Sequence, residues 1–218
     1  MITATIGEDR ALLLVGPVRG LAQEARETVE ALREFAPTTV GLGLSEEEMR
    51  GLINYFVAAE AEPVVPLTAT ETSEVEGLVR FGEVRVPNPA FVDVLSWCVA
   101  SQIPAEPLDP NDEHSAALFT EHIGYMALVR RTVGERRVAR NPPRSSTADE
   151  FALAWDREIS RGRGSRELAQ ARDRHFARGV GRLRATGPRL GLVVDRERFE
   201  SIRTLLENGV PPAMDAEP

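Results

Sequence analysis

Three arginines stand where side chains can do chemistry. Arg19 lies in Gly16-Pro17-Val18-Arg19-Gly20, directly after the apolar run Leu12 to Val15 and directly before a helical pattern. Arg198 closes Asp195-Arg196-Glu197-Arg198, after a second apolar run and before the last helical pattern. Arg172 sits beside Asp173 within a long helical stretch. A guanidinium stays charged, is planar and donates through a fork that fits carboxylate or phosphate. It carries no acceptor and so cannot ligate a metal. These positions therefore point to an acidic ligand, a small molecule or a protein carboxylate, bound by Gly16, Arg19, Gly20, Arg172, Asp173, Asp195 and Arg198. Backbone N–H groups at the start of the helix after Gly20 would assist. The plainer reading pairs Arg19 with Glu24 or another acid. It leaves Arg196 and Arg198 solvated on the first turn of the last helix, and it makes Arg172 and Asp173 a buried pair that fixes a helix.

One acid and histidine cluster competes for a metal role: Asp109, Asp112, Glu113, His114, Glu121 and His122. Such side chains do bind metals. Yet Asp112, Glu113 and His114 are consecutive and would splay around a helix start. Asp109 to Asp112 looks like a cap, and His114 and His122 are two turns apart. The subsidiary metal set is Asp109, Asp112 and His122. Cys98 reads as a buried packing residue with no activating base nearby. "RGRGSRE" lacks the ending of a phosphate loop and follows a helix. "RRTVGERRVARNPPR" is a basic connector without interleaved aromatics, and a contact to a negative partner is its secondary reading. Ser146 and Ser165 are read as helix caps.

Alternating apolar segments supply the frame. "ITATI" and "ALLLVG" form a hairpin around "GEDR". Further strands are expected at "TTVGLGL", "PVVPL", "AEPLD" and "PRLGLVVD". Helices are expected over 21–35, 46–61, "SEVEGLVRFG", 89–103 capped by Asn88, 111–134, "STADEFALAWDREISRG", "SRELAQARDRHFARGVGRLRATG" and "RERFESIRTLLENG", with Ser45 capping the second. The "ERRVARNPPRSS" segment is expected as a connector. The order predicts an α/β fold: a mainly parallel central sheet, an N-terminal β-hairpin, helices on both faces and a helical middle region over 68–140. One domain is expected over 1–210, with a flexible tail at 211–218. The loops 16–20, 43–47, 66–70, 109–114 and 195–198 would meet at the carboxyl edge, where such sheets bind ligands.

The 218 residues carry a net charge of −8, which disfavours nucleic acid as the main partner. All 26 basic residues are arginine, since the chain has no lysine. A single cysteine cannot form an internal disulfide, and a cytoplasmic setting is expected. No apolar run reaches the length of a membrane span, so a soluble protein is expected. No cofactor is expected. A homo-oligomer through apolar helix surface around Phe91 and Trp97 is a further reading.

The stretches "VGPVRGLAQEARETVEALREFAPTTVGLGLSEEEMRGL" and "ELAQARDRHFARGVGRLRATGPRLGLVVDRERFESIRTLL" resemble the TraB/PrgY family, related to the GumN and Tiki proteins, and the middle, "EGLVRFGEVRVPNPAFVDVLSWCVASQIPAEPLD", fits its archaeal branch more loosely. The family pattern has Gly-x-x-His after each of two strands, a glutamate ending another strand, and Glu-Arg-Asp. The resemblance implies a divalent metal held by those histidines and carboxylates, and peptidase activity. Here the histidine positions are Arg19 and Arg198, the strand-end glutamate is Gly43, and Glu-Arg-Asp becomes Ala171-Arg172-Asp173. The implied metallopeptidase chemistry is therefore not carried over. A non-catalytic binding or regulatory protein is expected, its former cation site turned positive or closed by ion pairs with Asp195, Asp173 or Glu46. The alternative is a hydrolase that recruits Asp109, Asp112 or His122.

Overall fold

Strand β1 (Ile2–Ile6) runs antiparallel to β2 (Leu12–Gly16), and β2 opens a parallel sheet. The computed structural model describes residues 1–7, 11–57, 67–185 and 187–209. Strands β3 (Thr39–Leu42), β4 (Ala105–Pro107) and β5 (Leu190–Val193) complete the order β1-β2-β5-β3-β4. All pairings beyond the hairpin are parallel. The expected α/β class with its N-terminal hairpin is what the chain forms. The expected strand at 63–67, the 8–10 part of the first turn, the end of the 46–61 helix and the tail lie outside the described residues.

Alternation along β2 explains the two helical layers. Successive side chains leave a strand on opposite faces. Leu13 and Val15 join Val29, Leu32, Phe91, Val94, Leu95 and Cys98 on one face. These come from α1 (Ala22–Phe35) and α4 (Pro89–Ser101). Leu12 and Leu14 join Phe176, Val180, Phe199 and Ile202 on the other. Those belong to α8 (Arg163–Arg184) and α9 (Phe199–Asn208). A strand covered on both sides must be apolar throughout, as "LLLV" is. Each large apolar side chain fully buried here contributes roughly 1.5–3 kcal/mol. Phe91 lies within this core, 3% exposed, and Trp97 packs against it.

A third layer stands over the carboxyl edge. Val18 and Leu21, from the loop after β2, pack with Leu78, Val138, Phe151 and Trp155. These side chains come from α3 (Ala69–Leu78), α6 (Tyr125–Arg140) and α7 (Ala148–Ile159). Helix α2 (Glu46–Val57) starts at the end of β3, with Ser45 Oγ accepting from the Glu48 N–H as expected for a cap. Asn88 caps α4 in the same way through Ala90.

Five local expectations are corrected. The helix expected over 111–134 is two helices, α5 (Asp112–His122) and α6, because Ile123 turns into the core and Gly124, a poor helix former, takes an extended N-cap conformation. Helix α6 continues to Arg140, so the polar connector begins only at Asn141. Thr147 rather than Ser146 accepts the capping bond of α7, while Ser165 lies inside α8. Asn111 caps α5, which releases Asp109 for another role.

Gly16 is set by packing. A Cβ there would stand 2.8 Å from Phe199 Cδ2 and 3.0 Å from its Cβ. Gly16→Ala is expected to cost about 1–3 kcal/mol through overpacking. The urea midpoint measures this, and an unchanged midpoint would show that α9 moves aside freely.

Candidate functional site

The loops after β2, β3, β4 and β5 converge on one edge of the sheet, and three backbone bonds lock them. The Arg196 N–H donates to Pro17 O at 3.0 Å, the Asp109 N–H to Leu44 O at 3.0 Å, and the Gly43 N–H to Val193 O at 2.8 Å. Gly20 has φ +87, the left-handed region that favours glycine, and its carbonyl accepts from the Arg85 N–H. This turn aims Arg19 across the edge.

Arg19 Nη2 donates to Asp195 Oδ2 at 2.6 Å and lies 3.6 Å from Glu197 Oε1. Asp195 is buried and also accepts from Asn88 Nδ2 at 3.1 Å. Glu24 is not the partner of Arg19. It is buried and accepts the Val18 N–H at 2.5 Å. The Ala22 N–H, at the start of α1, is taken by Glu83 O. The help expected there from free helix-start donors is absent at that residue.

Arg198 is the most enclosed of the three arginines. Its Nη1 and Nη2 grip both oxygens of Asp109 at 2.7 and 2.8 Å, and its Nε donates to Asp173 Oδ1 at 2.9 Å. Its side chain is 13% exposed, and that of Asp109 only 1%. Asp109 receives a further bond from Arg172 Nη2 at 2.8 Å. The carboxylate thus joins the loop after β4 to the β5 loop and to α8. A Cβ on Gly43 would lie 3.2 Å from Arg198 Nη1, so the glycine in place of the resembled glutamate leaves room for the guanidinium. Arg196 is buried rather than solvated, and it pairs with Asp149 of α7. Neither Arg196 nor Arg198 is a free surface residue, because each fills a polar slot between helices and loops.

These charges perturb one another. Burial works against the Arg198 charge, but Asp109 and Asp173 outweigh it and raise its pKa. Asp195 raises that of Arg19. Burial, reinforced by Asp195 and opposed by Arg19, pushes Glu197 up to about 7. Burial likewise raises Glu74 of α3, again opposed by Arg19, with Asp195, Glu71 and Asp156 adding to the rise.

A cleft of about 1020 Å³ lies between this edge and the third helical layer. Arg19, Gly20, Arg172, Asp173, Asp195 and Arg198 line it, whereas Gly16, the remaining expected site residue, packs against Phe199 outside its lining. Its described lining carries five arginines and eight carboxylates, an acidic excess. The edge is therefore a field of mutual pairs rather than a patch of positive charge. Arg19 and Arg172 differ from Arg198 in one respect. Their side chains are 53% and 43% exposed, and each is anchored through Nη2 alone among the described residues. Their remaining N–H donors have no partner among the described residues.

The metal implied by the resemblance does not fit these residues. Two guanidinium groups occupy the histidine positions, Asp109 accepts three arginine hydrogen bonds and Asp173 accepts one. Among the described residues, no group of three or more His, Cys, Asp or Glu side chains could hold a metal ion. The subsidiary set Asp109, Asp112 and His122 is not assembled. Asp112 and His122 begin and end α5, about 15 Å apart along its axis. His114 instead meets His175 of α8 edge-on, with ring centroids 5.0 Å apart. Glu197, Glu74, Asn88 and the three-bond role of Asp109 were not foreseen from sequence. Only the position of Asp109 just after a strand could have marked it. Searches against protein-family models and curated proteins return no match to the chain.

Proposed function

We propose that this chain is a non-catalytic binding or regulatory protein, a divergent TraB-like domain whose cleft takes the carboxylate of a small molecule or partner protein through Arg19 and Arg172. The supporting observation is the half-used guanidinium. Each of these two arginines is held from behind by a buried carboxylate and presents its other donors to the cleft. Anchoring of this kind pre-orients the fork, which lowers the ordering cost of binding. The affiliation rests on the two resembling stretches. The absence of catalysis rests on the replacement of the resembled metal ligands by arginines. The surrounding carboxylates select against polyanions, so a ligand with one compact acidic end is preferred to phosphate or sulfate.

Thermal unfolding with succinate, acetate, phosphate and sulfate tests this. A carboxylate at about a hundred times its Kd stabilises the native state by about 2.7 kcal/mol, a rise in Tm of roughly 5–10 °C. That rise is expected for a carboxylate and lost in Arg19→Gln and Arg172→Gln. No stabilisation by any carboxylate, or the same stabilisation in both variants, overturns the reading.

A further inference from the structure

We propose that the outer face of α6 docks the protein on an anionic bilayer surface. Val138 is buried against the third cluster and fixes the roll of the helix. On the opposite side Tyr125 is 79% and Val133 59% exposed, with Leu128 and Val129 exposed between them. These residues recur at helical spacing along one face. Arg130, Arg136, Arg137 and Arg140 are also exposed and have no ion pair among the described residues, whereas Arg131 is paired with Glu135. Helix α6 thus carries five arginines and one carboxylate on a chain of net charge −8.

A groove of about 530 Å³ beside this face adds a headgroup-sized recess. Arg136 and Arg140 line one wall, and Thr70, Thr72 and Ser73 of α3 line the other, with Glu76 also present. Ser73 Oγ donates to Ala139 O at 2.9 Å and holds the two helices together.

The partner must supply negative charge and an apolar sink over a helix about 24 Å long. An anionic lipid interface supplies both, and amphipathic helices lie in its plane. A symmetric contact with a second copy would set this basic face against itself. RNA would use the arginines and the single Tyr125 ring but leave Leu128, Val129 and Val133 idle. The acidic remainder of the body would be repelled by the same surface and so orient the docked molecule.

Co-sedimentation of the full chain with phosphatidylcholine vesicles, with and without about 30% phosphatidylserine, tests the proposal. Binding to the anionic vesicles is expected to exceed that to neutral ones by about tenfold or more at low salt, and to fall in about 0.5 M salt. Each arginine near the surface contributes about fivefold, so Arg136→Gln with Arg140→Gln should lose about twenty-fivefold. Val129→Ser with Val133→Ser should lose several-fold at unchanged helix content. Equal or absent binding of the native chain to the two vesicle types overturns the proposal. So does capture of single-stranded RNA without vesicle binding, or self-association that the Val133→Ser change abolishes. The native comparison stands even if a variant misfolds.

Discussion

Replacement of Asp109 by Ala is expected to destabilise the protein by about 3–5 kcal/mol, because it strands a buried guanidinium that cannot shed its charge. For a chain of this size the loss lowers Tm by roughly 6–20 °C. The size follows from the geometry. Arg198 is almost enclosed, and two of its three bonded nitrogens face Asp109. Arg172→Ala removes a partner of the same carboxylate, yet its head is half-exposed and water replaces the bond, so a cost of about 1 kcal/mol is expected. The two variants thus separate burial from pairing. The triple variant Asp109→Ala, Asp173→Asn and Arg198→Met, which also removes the carboxylate that Arg198 Nε would otherwise leave unpaired, should recover much of the loss. Urea denaturation at unchanged m-value measures each difference. An Asp109→Ala cost near that of Arg172→Ala would mean that water reaches Arg198 freely.

Stability should decline as pH rises from about 4.5 to 7, with Glu197 as a leading cause. Its folded pKa, about 7, lies above the ordinary carboxylate value. The folded state therefore binds more protons than the unfolded state across that window. The contribution is complete below the unfolded pKa and gone once pH passes the folded one. It amounts to up to roughly 3 kcal/mol. Glu197→Gln should flatten the slope between pH 4.5 and 7 and unfold at a higher midpoint than the native chain at pH 8. Parallel pH profiles of the two proteins would show instead that Glu197 stays ionised beside Arg19.

The sheet was legible because burial on two faces demands an unbroken apolar run, and "LLLV" and "LGLV" have no other use in a chain this polar. Helix caps were legible where Ser45 and Asn88 precede clear periodic stretches. The break at Ile123 was not, because an isoleucine and a glycine are both tolerated within a helical pattern, and only packing beside Gly164 of α8, distant in sequence, decides that Ile123 turns inward. The site was half legible. Arg19 and Arg198 follow strands and so had to reach the same edge. Their partners come from residues 109, 173 and 195, and no local pattern reveals which carboxylate meets which guanidinium. Glu197 was hidden for the same reason: its burial depends on α3 and α7, which are distant in sequence.

The most direct measurement follows the arginine Nε–Hε signals by NMR while acetate is added. Arg19 and Arg172 have uncommitted Nε groups among the described residues, whereas Nε of Arg198 is bound to Asp173. Saturable shifts of the Arg19 and Arg172 signals, with that of Arg198 unmoved, are the predicted result. Signals of Arg19 and Arg172 that stay fixed for every carboxylate tried would contradict a ligand site at this edge of the sheet.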